Sequence, residues 1–330
     1  MNAMPRAQIA LLTVLAIAGL TACSSSNSAG PSSKGEVVFL ADTYNGRILV
    51  TPDVGTTWGS YTAPGNGANQ LGSMSGIYVT AAGAIYTTDW VNGRIIRVND
   101  TTGAGWTSFG TVGSGVNQFN SPRSIWVDEA NGNKIYVTDA LNHRIVRIDD
   151  MTGAGWVTFG TAGGGVNQFD SPGGILIGGG GASAFAAGIY VSDFSAGRIA
   201  YFSDMTGSGW TTYGTNGSGN GQFMSPLGMA FGKDNKLYIV DHMNYRVVRI
   251  SDMTGTGWIS YGSSGTGTGN FYYPRFIAVD STLRIYVSDG GMSQGKVVRM
   301  DDMTGAGWMT FTTNYKGLAL SAVPEGIFLH

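Results

Sequence analysis

An aspartate closes an apolar run six times in this chain, at Asp42, Asp89, Asp139, Asp193, Asp241 and Asp289, at intervals of 47 to 54 residues. Six carboxylates brought together could hold a metal ion. Four of them open the same string, Asp-x-x-Asn-x-Arg, at Asp42, Asp89, Asp139 and Asp241. A feature carried by every unit is most simply part of what builds the unit. An Asp at a strand end accepts backbone N–H groups across the following turn, and a nearby Arg pairs with it. The loops Asp-Met-Thr-Gly-x-Gly-Trp at Asp150, Asp204, Asp252 and Asp302, with Asp100 as a variant, lack the alternating carboxylates of a calcium loop. They read as hairpins with glycine in left-handed conformation. A zinc site wants three converging donors, yet His143 and His242 fall in separate units and His330 is terminal. Glu36, Glu129 and Glu325 are scattered, and no nucleophile elbow leads from a strand into a helix. No catalytic set is recognisable and no cofactor is expected, with calcium or zinc as the alternatives.

Three cations break the internal repetition. Gly173 and Leu227 follow the recurring proline in two units, whereas Arg123 and Arg275 follow Pro122 and Pro274, and Lys316 is read in register with them. Two guanidinium forks facing one another would chelate a planar oxyanion. Whether they face depends on the elements that carry them.

A second landmark supplies those elements: Trp58, Trp106, Trp156, Trp210, Trp258 and Trp308 share the period of the aspartates. Each unit reads as four short strands, exemplified by 124–128 (a), 134–138 (b), 144–148 (c) and 156–159 (d). β-Branched and aromatic residues fill them and Gly, Asn and Asp separate them. Repeats of about 48 residues with four strands each point to an all-β fold, a six-bladed β-propeller of four-stranded antiparallel blades. Stacked blades bury both faces of each sheet, which accounts for consecutive apolar residues such as Ile145 and Val146. The tryptophans are expected to pack against the next blade. The N- and C-terminal strands share a blade and close the ring, with Lys316–Leu320 as the closing strand a and 326–330 as a surplus strand. Arg123 and Arg275, three blades apart, then oppose each other across the axis, with Lys316 beside Arg275. The Gly-rich insertion 178–188 lies at an a–b turn on the opposite face and reads as a surface loop. Trp90, Phe194 and Tyr245 in the b–c turns are candidates for an apolar patch.

The string Asp139-Ala-Leu-Asn142-His143-Arg144-Ile145, its copies from Asp42, Asp89 and Asp241, and the connectors ending at Pro122, Pro172, Pro226 and Pro274 resemble the NHL repeat family over about residues 36–330. Asp193 lacks the Asn, and the stretch from Asp289 to Lys296 is longer and uses Lys. The resemblance implies a binding or scaffolding propeller. Similar propellers include peptide α-amidating lyases with histidines on zinc, streptogramin lyases that use histidine, and gluconolactonase-like enzymes that hold calcium in the channel. A lyase or lactonase-like enzyme with a metal in the axial channel is therefore one alternative, and a structural component of a cell-surface assembly is another.

The first residues read as targeting rather than fold. Arg6 precedes an apolar run from Ile9 to Gly19, too short to span a bilayer comfortably. Leu20-Thr21-Ala22-Cys23 resembles the bacterial lipobox, which implies a cleaved signal peptide (1–22) and lipid attachment at Cys23, the chain's single cysteine. A flexible Ser-rich tether (23–35) and the propeller (36–330) follow. Ser24 implies outer-membrane sorting, facing the periplasm or cell surface. The expected partners are the membrane, through the anchor, and a protein or small anionic ligand. With a net charge of −2 and 12% charged residues, no basic stripe exists to draw a phosphate backbone, and nucleic acid is excluded.

Overall fold

β-Branched and aromatic runs four to seven residues long, cut by glycine and Asn turns, have no room for a surface helix and pair with their neighbours as strands. The computed structural model describes residues 37–52, 58–67, 69–180, 183–291, 295–312 and 324–330. Six antiparallel sheets of four strands each result. The third blade is typical, with Pro122–Asp128, Lys134–Asp139, Arg144–Ile148 and Val157–Phe159 as strands a to d. The a strands stand around the axis, each touching the a strand of the blade on either side. The molecule is a six-bladed β-propeller.

The ring closes in the first blade, where Pro324–Leu329 pairs with Val38–Asp42, which pairs with Arg47–Thr51 and then Gly59–Thr62. This corrects the sequence reading in one respect. The closing strand a is Pro324–Leu329, so no surplus strand exists there, and Lys316–Leu320 lies outside the described residues. Pro324-Glu325-Gly326-Ile327 repeats the pattern of Pro172-Gly-Gly-Ile175 and Pro226-Leu-Gly-Met229. That is the signature of a strand a.

Six apolar clusters hold the ring, one at each seam between blades. Strand c shows how: Val146 packs toward the second blade and its neighbour Ile145 toward the fourth. The tryptophans also pack across seams, but against the preceding blade. Trp156 lies 6.2 Å from Phe109, in strand d of the second blade, and 5.3 Å from Phe119 of the connector. Trp210, Trp258 and Trp308 repeat this against Phe169, Phe223 and Phe271 at 5.2 to 5.4 Å. The connector crosses each seam and inserts its Phe from the near side, which draws the ring backwards rather than forwards.

The repeated aspartates are structural. Asp139 is fully buried. Its Oδ2 accepts from Arg144 Nε and Asn142 Nδ2, both at 2.8 Å, and its Oδ1 accepts the Asn120 backbone N–H at 2.6 Å. Arg144 also donates to the Ser114 and Gln118 carbonyls. One carboxylate thus ties strands b and c to the connector from the previous blade. Burial pushes the Asp139, Asp193, Asp241 and Asp289 carboxyls up, against the pull of these donors.

Candidate functional site

Strand a begins with a β-bulge in all six blades, for example between Pro122 and Ile125 in the third and between Pro274 and Ile277 in the sixth. The bulge leaves the residue after the proline out of the ladder, and at Arg123 and Arg275 it turns into the channel mouth. A hydroxyl near the end of strand b fixes the bulge. Ser124 N–H donates to Thr138 Oγ1 at 2.8 Å, and that hydroxyl donates to the Gly173 carbonyl of the next blade at 2.8 Å. Thr88 does the same for Gly76 and the Arg123 carbonyl. Glycine two residues after the proline lets the backbones close up. A Cβ on Gly174 would lie 2.3 Å from the Leu227 carbonyl oxygen.

The mouth is a cavity of about 230 Å³, lined by Arg123, Arg275, Glu325, Ser75, Leu227 and Ser121 with Thr43, Tyr44 and Trp90 at its edge. Arg123 and Arg275 thus share one cavity, and their blades lie three apart in the ring. Lys316 lies outside the described residues, and the position in register with the two arginines belongs to Glu325. Glu325 is buried, and its Oε1 accepts from Arg275 Nη1 at 2.8 Å. Ser75 Oγ stands 3.4 Å from the other oxygen. Sequence reasoning missed Glu325 because the closing strand was misplaced. The Pro-x-Gly-Ile signature would have found it.

The two arginines are therefore not equivalent. Arg275 is engaged by Glu325. The Arg123 guanidinium lies 5.1 Å from the ring centroid of Phe194, and among the described residues no carboxylate forms an ion pair with it. Burial presses Arg123 down from its ordinary value, with Arg275 adding to the effect and Glu325 opposing it. Burial likewise pushes the Glu325 carboxyl up, against the pull of Arg275 and Arg123. Two guanidiniums and one carboxylate leave an excess positive charge in a partly desolvated cavity, a setting that favours an anion.

Beside the mouth, His242 is buried with its ring 5.9 Å from Phe194 and 5.7 Å from Tyr273. Its Nδ1 lies 2.8 Å from the Pro274 carbonyl oxygen, which can only accept, so Nδ1 carries the hydrogen. His143 sits in another blade, 2.7 Å from the Asp170 carbonyl, and the His330 ring packs on Phe39. The histidines do not converge. Among the described residues no group of three or more His, Cys, Asp or Glu side chains could hold a metal. In the five Asp-x-Thr loops the carboxylate oxygen is taken up by the turn, as where Asp252 Oδ1 accepts from Thr254 N and Oγ1.

Ten of the twelve described large hydrophobics that are exposed lie in the b–c turns and connectors of the mouth's face. Tyr44, Trp90, Val91, Leu141 and Met243 protrude from the b–c turns, and Val112, Val116, Val166, Met224 and Tyr273 from the connectors and their ends. Only Ile259 and Met309, both on strands d, lie elsewhere among the described large hydrophobics that are exposed. Trp90 belongs to this surface, as expected. Phe194 and Tyr245 are half-buried, the first beneath Arg123 and the second against Tyr273. Cys23 lies outside the described residues.

A family profile described as a 6-bladed β-propeller matches residues 65–154. No curated protein matches the chain. Among solved structures, a chain of the nidogen/laminin complex is similar at 17% identity, with a TM-score of 0.66 over 89% of this chain and 98% of that one. A protein of unknown function from Bacteroides caccae shares 10% identity, with a TM-score of 0.62 over 89% and 98%. A virginiamycin B lyase from Staphylococcus aureus with quinupristin shares 16%, with a TM-score of 0.55 over 91% and 89%. At these identities the likeness is one of fold.

Proposed function

We propose that this chain is a binding propeller of NHL type, without a catalytic role, that receives a partner on the face around the mouth and seats an acidic group of that partner against Arg123. The observation that carries the reading is the gathering of exposed apolar side chains on one face, around a cavity with an excess positive charge. Scattered surface hydrophobics need no explanation, but a face that collects them marks an interaction site. A carboxylate entering the mouth would meet Arg123 and leave the Arg275–Glu325 pair intact. The exposed rings of Tyr44 and Trp90 at the edge would cover apolar flanks of the same segment.

The reading includes a lipid anchor at Cys23 on a bacterial membrane, the outer one by the Ser24 rule, with the propeller in the periplasm or at the cell surface. Its support is the lipobox-like sequence Leu20-Thr21-Ala22-Cys23 after the apolar run.

The test uses two neutral-capped peptides, acetyl-Leu-Phe-Glu-Leu-amide and its Gln counterpart, titrated calorimetrically. The expected result is binding of the Glu peptide at least about tenfold tighter, which corresponds to ~1.4 kcal/mol. Arg123→Gln should abolish that preference, and Trp90→Ser should weaken both peptides alike. Equal binding of the two peptides to the unaltered protein would remove the acidic-group assignment.

A further inference from the structure

The axial channel holds a second cavity at the end opposite the mouth, of about 360 Å³, which shares no lining residue with the first. All six a strands contribute to it. Its wall includes Tyr78, Trp126, Phe231 and Phe328, with Ile177, Met229, Val279 and Leu329 half-buried around them. The Tyr78 ring touches both Trp126 and Phe328, at 5.0 and 4.8 Å between centroids. Among the described residues no Asp, Glu, Lys, Arg or His lines this cavity. A charged ligand would lose its hydration there without gaining a partner, which is costly.

The Gly-rich insertion that lengthens the fourth blade supplies an independent observation. Phe185, at its centre, is fully buried, 5.8 Å from Tyr190 and 5.2 Å from Phe231. Gly180 N–H donates to the Phe185 carbonyl at 2.6 Å, and the hydroxyls of Tyr190 and Tyr201 donate to the Ala186 and Ala187 carbonyls. The described part of the insertion is thus pinned down, with the Ser183 hydroxyl oxygen accepting the Phe185 N–H at 3.1 Å, and Gly178–Gly180 and Ser183 line one side of the cavity together with Asn235. The other blades have no such addition. A basin whose side chains are mainly apolar thus gains further neutral hydrogen-bonding groups on one side.

We infer that this basin is a second binding site, for a small neutral molecule with an apolar body and one polar end. The body would lie among Tyr78, Trp126, Phe231 and Phe328, and a hydroxyl, amide or carbonyl would face Gly178–Gly180, Ser183 and Asn235. A pocket of a few hundred cubic ångströms lined mainly by apolar side chains, with a few polar groups among them, is the usual form of a small-molecule site. Six strands converging on the axis leave space for a small molecule rather than for a folded partner.

The experiment titrates the full chain with the neutral dye N-phenyl-1-naphthylamine, followed by its fluorescence, and then displaces it with dodecanol or with laurate. Saturable binding at one site per chain is expected, with dodecanol displacing the dye more effectively than laurate. Ile177→Trp and, from another blade, Val279→Trp fill the basin and should each weaken the dye at least about tenfold, with thermal unfolding verifying that each variant folds. Arg123→Gln should leave it unchanged. Binding that does not saturate, that survives both filling substitutions in folded protein, or that favours laurate would overturn the assignment.

Discussion

His242 provides a quantitative test of how tightly the mouth is built. Its imidazole is held down to about 4 from an ordinary 6.5, first by burial and then by Arg275 and Arg123, while the Pro274 carbonyl pulls the other way. The neutral ring is therefore the native form at pH 7. As the pH drops below 6.5, the unfolded chain takes up a proton that the folded chain refuses. Stability from this group is present above 6.5 and is lost as the pH falls through 4. At about 1.4 kcal/mol per pH unit, the loss reaches ~1 kcal/mol at pH 5.5 and a ceiling of ~3 kcal/mol below pH 4. The buried aspartates shift in the opposite sense, so wild-type stability alone would blur the effect. Urea unfolding of the wild type and His242→Asn at pH 7.5, 5.5 and 4.5 isolates it, because every other group cancels in the difference. The wild-type advantage should shrink by ~1 kcal/mol between pH 7.5 and 5.5. A difference that stays flat would show that the ring titrates as if in water. One that grows at low pH would mean that the folded state welcomes the imidazolium, and the placement of two arginines beside it would be wrong.

Two further substitutions test other parts of the structure. Asp139→Ala leaves Arg144, Asn142 and the Asn120 N–H without their shared acceptor; breaking a buried pair of this kind costs ~3 kcal/mol or more, read as a shift in the urea midpoint. Cys23→Ser should move the protein from the membrane fraction to the soluble one, and an unchanged distribution would dismiss the anchor.

The repeated parts of the molecule were legible in the sequence. Asp139 and Trp156 recur with one period because each does the same job at every seam, and a job done six times leaves six copies to compare. Blade number, strand count and the structural role of the aspartates followed from that. What the sequence hid was direction and pairing. The period of Trp156 is the same whether its ring packs forwards or backwards, and only the insertion of Phe119 from the preceding connector decides. The strand closing the ring was harder still, since it is separated in the chain from strand b, its partner at Val38–Asp42. Lys316–Leu320 reads as that strand, whereas Pro324 and Gly326 mark the place, the glycine because a Cβ there would lie 2.5 Å from the Ser75 carbonyl oxygen.

That error bears on how such a site should be sought. Inside a propeller most positions answer to the seam, and their side chains repeat. The residue after each strand-a proline, or after Met74 in the second blade, is different, because the bulge removes it from the ladder and turns it toward the axis. Around this ring those residues are Ser75, Arg123, Gly173, Leu227, Arg275 and Glu325. Equivalent backbone carries a hydroxyl, two cations, an anion, an aliphatic chain and no side chain at all. The asymmetry of the mouth, with Arg275 paired to Glu325 and Arg123 set against the Phe194 ring, is what the proposed anion site rests on, and it arises at the one position of strand a that the ladder leaves free to vary.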